Sequence, residues 1–270
     1  MKKVILLTAV ILLSATTFAQ AQDGELSGTV GVTLLSQYIW RGFEFFHEDG
    51  AIQPNIDLDL YGTGLGLKFL WSKGTGRGNE VYERLDFTLY YGNTLYEYET
   101  YATDYQIGWT YYNFPDGPMR KRLVPTARTE MDLQELFATL SWPEICPEGV
   151  VPSYTLIYLW PSKERAYTAE MSGSLHILGV GYDLPIEGLL PDIPEQILHL
   201  SAAMVYNDGV NINPSASDSD WSHAVFGVTT DFDLGNDCTL TPGVYYQSSW
   251  EDDVNPSDEF WCSLGVSYAF

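Results

Sequence analysis

The sequence predicts an all-β protein, a twelve-stranded antiparallel transmembrane β-barrel of the outer membrane. Three observations carry that expectation. From Glu25 onward, short segments alternate apolar and polar residues with period two, and no stretch of period 3.6 stands out. The segments run about nine to sixteen residues, longer than a usual soluble strand and suited to crossing a bilayer on a tilt. Aromatic residues collect at the ends of the apolar faces (Tyr38, Trp40, Trp71, Tyr91, Tyr105, Trp142, Trp160, Trp250), and the chain stops on Phe270 inside a strand, as interfacial girdles and barrel-assembly signals require. A soluble β-sandwich also alternates, with its apolar face turned inward. Strand length, girdle and C-terminal aromatic together favour the barrel.

Residues 1–21 read as a signal peptide. Lys2 and Lys3 start it, Val4 to Leu13 form an apolar stretch, and Ala19-Gln20-Ala21 offers a small-x-small cleavage site. Cleavage would leave residues 22–270 as the barrel. The mature part would keep 11 basic residues (13 less Lys2 and Lys3) against 36 acidic ones, a net charge of 11 − 36 = −25.

The strands are expected at 26–41, 51–61, 64–73, 81–93, 103–114, 131–142, 153–160, 167–183, 197–207, 220–234, 238–250 and 259–270. An even number lets a barrel close with both termini on one side. On the last strand, Phe260, Cys262, Leu264, Val266 and Tyr268 share one face, opposite Trp261, Ser263, Gly265 and Ser267. On 84–91, Leu85, Phe87, Leu89 and Tyr91 oppose Arg84, Asp86 and Thr88, so charges gather on one side. Strand 167–183 breaks phase, because Leu175 and Ile177 lie on one parity and Val180 and Tyr182 on the other. A β-bulge near Leu178-Gly179 would repair it. With the N-terminus periplasmic, outward loops fall at 42–50, 74–80, 115–130, 161–166, 208–219 and 251–258. Gly62-Thr63 and Gly235-Asn236-Asp237 are short periplasmic turns, and 184–196 is an unusually long apolar one.

Composition excludes other classes. A mean hydropathy of −0.10 and the lack of a long apolar run after the leader argue against transmembrane helices. A net charge of −23 argues against nucleic-acid partners, and 14% aromatic content against disorder. Cys146, Cys238 and Cys262 are too few for a disulfide framework and have no zinc spacing, so they read as small residues with at most one bridge between them. Neither metal nor cofactor is expected.

The segments SQYIWRGF (36–43), DYQIGWTYYNFP (104–115) and SLGVSYAF (263–270) resemble the TorF-family porins of proteobacterial outer membranes. The resemblance implies an outer-membrane barrel with a transport role and transfers no catalytic residues. After Arg41-Gly42 this chain reads Phe43-Glu44-Phe45-Phe46, a departure from the family pattern.

With apolar faces turned to lipid, the lumen and selectivity candidates are Arg41, Asp57, Asp59, Lys68, Arg84, Asp86, Glu135, Glu170, His176 and His199, joined by Gln247. A charged lumen means either a hydrophilic path or a salt-bridged filling, and twelve strands sit between a filled barrel and an open channel. The scarce cations favour predicted outward loops. Arg120, Lys121, Arg122 and Arg128 are candidates for contact with anions or lipopolysaccharide phosphates, with Lys73, Arg77, Lys163 and Arg165 nearby. The expected partners are outer-membrane lipids, lipopolysaccharide, the barrel-assembly machinery through the Phe270 strand, and small solutes that diffuse passively. A non-conducting structural or adhesive barrel is the first alternative. A lipid-modifying enzyme is the second and weaker one: His47 and His223 fall near the outer side, and the inward His176 and His199 have no Ser partner on the lipid face; no covalent chemistry is expected. The run at 207–220 resembles an acidic calcium loop but lacks EF-hand spacing.

Overall fold

The computed structural model of the 270-residue chain describes residues 24–115, 131–162, 172–190, 194–211 and 219–270. The predicted signal peptide, Glu170 and the basic residues of 116–130 lie outside them.

The strands are β1 (Ser27–Leu35), β2 (Ile39–Trp40), β3 (Phe43–Glu44), β4 (Ala51–Asp59), β5 (Leu65–Gly74), β6 (Arg84–Leu95), β7 (Thr103–Asn113), β8 (Leu133–Ser141), β9 (Val150–Pro161), β10 (Gly173–Glu187), β11 (Glu195–Asp208), β12 (Asp220–Thr230), β13 (Phe232–Gly235), β14 (Cys238–Ser249) and β15 (Glu259–Ala269). Twelve of them, β1, β4 to β12, β14 and β15, form a closed antiparallel meander in which each strand pairs with its neighbours in sequence. β13 continues β12 alongside β14 after a break at Asp231. The seam joins the first strand to the last, from Thr29 opposite Ala269 to Leu35 opposite Ser263. Gly28 and Phe270 extend it by exchanging backbone hydrogen bonds of 3.0 Å each way. Closure leaves no unpaired edge, which a strand surrounded by lipid could not tolerate.

The exterior is the apolar face that the alternation predicts. Val30, Val32 and Leu34 on β1, Phe87 on β6, Phe226 and Val228 on β12, and Leu264, Val266 and Tyr268 on β15 all stand exposed. The opposite parity points inward, where Arg84, Asp86, Glu135 and Gln247 are buried. No described helix is long and apolar enough to cross a membrane; the crossings are strands.

Three expectations need correction. Strand 26–41 ends at Leu35, and the chain then turns into the barrel: residues 38–46 pack in the lumen and 47–50 return to the rim, so 42–50 is not simply an outward loop and Tyr38 and Trp40 belong to no girdle. β10 carries no bulge, because its register runs unbroken against β9 and β11. Leu175 and Ile177 keep inward parity and pack on the lumen filling, so their apolar character reports that contact rather than lipid. The long turn at 184–196 shrinks to 188–194, since β10 and β11 extend to Glu187 and Glu195.

The short turns and both described chain ends share one rim, here the turn rim. The opposite loop rim carries residues 36–50, the connection from β5 to β6, and residues 250–258.

Candidate functional site

Residues 36–50 build the centre of the site. Trp40 pairs with Phe43 and Ile39 with Glu44, making a minimal hairpin closed by Arg41 and Gly42. Both turn residues have positive φ, 55° and 91°, the signature of a type I′ turn. Gly42 is demanded twice over: a Cβ there would lie 2.5 Å from His223 Cε1 in a conformation that L side chains avoid.

The hairpin turns its aromatic side chains into the filling. Tyr38 and Phe45 lie 5.8 Å apart and Trp40 and Phe45 5.4 Å apart, while Phe43 and Phe46 are wholly buried. They pack against inward residues of the wall, among them Tyr112, Leu133, Ile157, Leu159 and Leu175. Val210 and Val254, from loop-rim connections, join the same cluster. Burying each large aromatic stabilises this arrangement by roughly 1.5–3 kcal/mol through the hydrophobic effect.

Polar contacts tie the plug to the wall. Arg41 at its tip donates to Glu135 Oε1 at 2.9 Å and to Oε2 at 3.2 Å, and Tyr112 donates to the same carboxylate at 2.7 Å. Gln247 donates from Nε2 to the Gly42 carbonyl at 2.9 Å. Gln37 donates to Glu259 at 2.7 Å and Glu44 at 3.2 Å. Arg84 forms a two-pronged pair with Asp86, at 2.6 and 2.8 Å, and donates to the Tyr38 hydroxyl at 2.9 Å. Its guanidinium lies 4.4 Å from the Trp40 ring centre and 4.5 Å from that of Tyr112, so the cation is held between two π faces. Gln53 donates to Ser72, which donates to Tyr38 at 3.3 Å.

Beneath the plug lies a cavity of about 560 Å³, roofed by residues 38–41 and walled by the inner faces of β4 to β10. Lys68 reaches in from β5, 3.1 Å from Asp57 and over the Tyr90 ring at 4.9 Å. Tyr90 donates to Asp57 at 2.9 Å. Toward the turn rim, Asp59 accepts the Gly62 amide at 2.5 Å, and His199 lies 2.7 Å from Asp183 and 3.6 Å from Asp231. Among the described residues, no group of three or more His, Cys, Asp or Glu could hold a metal, and Cys146, Cys238 and Cys262 are all free thiols.

Of the lumen candidates, Arg41, Lys68, Arg84, Asp86 and Glu135 converge on this one cavity, with Asp57 behind Lys68. Asp59 and His199 stay apart from it. His176 faces outward between Leu175 and Ile177, bonded to the Tyr154 hydroxyl at 2.7 Å, so its expected lumenal place is corrected along with the bulge. Sequence reasoning missed Tyr38, Tyr112, Ser72 and His223. A signal for the plug was present: aromatics fall on even numbers at 38 and 40 and on odd numbers at 43 and 45, a parity switch across Arg41-Gly42 that marks a two-residue hairpin.

Loop 251–258 is fastened over the loop rim by Asp258, which accepts the Tyr246 hydroxyl at 2.6 Å and the Ser249 amide at 2.9 Å. These bonds, the Tyr246 one foremost, hold the Asp258 carboxyl below its ordinary range.

The family described as "Bacterial protein of unknown function (Gcw_chp)" matches residues 19–247. The chain belongs to this family. The matched span includes the plug hairpin. No curated protein matches the sequence. Among solved structures, the chain is similar to the NanC porin in a rhombohedral crystal form, at 12% identity and TM-score 0.49, covering 90% of this chain and 99% of that one. It is also similar to the translocator domain of autotransporter NalP from Neisseria meningitidis, at 11% identity and TM-score 0.42, covering 98% and 95%. A third is the β domain of the Bordetella autotransporter BrkA, at 14% identity and TM-score 0.45, covering 92% and 100%. The barrel assignment for this Gcw_chp chain rests on its own strand pairing and apolar exterior.

Proposed function

We propose that this Gcw_chp protein is an outer-membrane porin of low conductance, in which small solutes diffuse passively through a lumen narrowed by residues 36–50. In this reading the chain is exported, the loop rim faces outward, and the Phe270 strand is what the assembly machinery engages. The observation that carries it is the charged cavity under the plug: a barrel meant only as a wall-filling scaffold gains nothing by placing Arg41, Lys68, Arg84, Asp86 and Glu135 around open space. The resemblance of 36–43 to the TorF-family motif supports the same reading, and no covalent chemistry enters it.

The test is planar-bilayer recording on purified protein beside a variant with residues 38–46 replaced by Gly and Ser. The wild type is expected to conduct weakly and the variant several-fold better. If neither conducts, the porin reading fails. The complete burial of Phe43 and Phe46 favours a second reading, a non-conducting barrel that displays its loops; in that case only the variant conducts.

In the same proposal, Arg120, Lys121, Arg122 and Arg128 contact lipopolysaccharide phosphates or passing anions. Replacing the first three by Ser should weaken lipopolysaccharide binding or shift ion selectivity. If both stayed unchanged, that assignment would be withdrawn.

A further inference from the structure

We propose that the cavity beneath the plug is a binding site for an uncharged polyhydroxylated solute, a sugar or polyol. As a statement about what is transported it rests on the porin reading; as a binding site it is measured separately. Its size, about 560 Å³, suits one small molecule.

Charge comes first. Each cation near the cavity already has a carboxylate: Arg41 with Glu135 at 2.9 Å, Arg84 with Asp86 at 2.6 Å, and Lys68 with Asp57 at 3.1 Å. A guest with net charge would lose its hydration and find no free counter-charge, whereas a neutral guest meets strong dipoles without that penalty.

Hydrogen-bonding capacity comes second. The wall holds two rows of neutral polar side chains. Thr88 and Thr110 lie side by side with hydroxyls 2.9 Å apart, and Gln106, Thr139 and Thr155 follow one another across β7, β8 and β9, the two threonine hydroxyls again 2.9 Å apart. Each hydroxyl pair uses one donor and one acceptor and leaves the rest for a guest.

Shape comes third. Leu70, Phe137, Ile157 and Ile177 on the wall, with Ile39 and Trp40 of the plug, give the cavity an apolar lining beside its hydroxyl, amide and charged groups. A sugar ring has that division, with a C–H face and a hydroxyl edge; a simple ion or a flexible apolar molecule does not.

The experiment titrates the full-length protein in detergent with glucose, sorbitol, gluconate and glucosamine, read by calorimetry and tryptophan fluorescence. Glucose and sorbitol are expected to bind with a Kd on the order of millimolar, and gluconate and glucosamine about tenfold or more weaker. Thr110→Val and Gln106→Leu should each weaken glucose by about tenfold, with the thermal midpoint of the barrel unchanged. The variant Gln106→Glu adds a lone charge and should depress neutral binding while admitting glucosamine. Absence of neutral binding, or charged probes binding as well as glucose, overturns the inference. Ion conductance without sugar binding would sink this inference and leave the porin reading standing; sugar binding without conductance would do the reverse.

Discussion

Side chains one residue apart on β15 live in different solvents. Val266 is exposed on the barrel exterior, flanked by Val32 of β1 and Leu240 of β14, whereas Ser267 shares inward parity with Trp261, which stacks on Tyr245 at 5.3 Å. Val266→Arg is therefore expected to destabilise by roughly 2–4 kcal/mol in lipid, since a guanidinium at mid-membrane depth loses its hydration. Ser267→Arg should cost clearly less, because the lumen offers water and carboxylates. Equilibrium unfolding in lipid vesicles measures both. Equal penalties would mean that the exterior does not face lipid.

The plug hairpin is the element that sets what the lumen can do, and its tip illustrates how buried charge behaves. Glu135 is 2% exposed and Arg41 28%, so the pair is lopsided: removing the guanidinium leaves a buried carboxylate with Tyr112 as its remaining donor. Arg41→Ala is expected to destabilise by about 3 kcal/mol, the low end for a buried pair because Arg41 is partly wet. The double replacement Arg41→Met with Glu135→Leu should cost much less, since no ion is then stranded. Unfolding of the single and double variants checks this, and a double mutant no more stable than Arg41→Ala would sink it. This element was the least legible in the sequence. Period-two reading is a statement about faces, and it cannot tell an aromatic turned to lipid from one turned onto a filling. Tyr38, Trp40, Leu175 and Ile177 were assigned outward for that reason, and the phase break at Leu175 was the plug's imprint on the wall. Lys68, Arg84, Asp86 and Glu135 were legible because a charge on a spanning strand has only one side on which it can be solvated.

For the whole molecule, the barrel and its handling of water and lipid follow from pattern alone, while rim identity follows from connection length. The turn from β4 to β5 spans 60–64 and the turn from β14's predecessor to β14 ends in Asn236 and Asp237, both at positive φ, whereas the loop rim carries the long connections and the described cations Lys73 and Arg77. A single cysteine placed at Asp253, with the native thiols replaced by Ser, should react with an impermeant maleimide on intact cells, and one placed at Tyr98 should not. The reverse pattern would invert the orientation, and labelling at both sites would argue against a membrane location.

The seam between β1 and β15 has a consequence for biogenesis. The plug follows β1 directly, but two of its polar ties come late in translation: Gln37 bonds Glu259, 222 positions away, and Gly42 bonds Gln247, 205 positions away. Contacts of such long range form slowly, because loop closure precedes any gain from them. These two ties therefore close only when the last strands arrive, in the same step as the seam between β1 and β15. Truncation before β14 would remove Gln247, Glu259 and the closing seam together, while Tyr112, Leu133, Ile157 and Leu175 stay in the chain to receive the aromatic side chains.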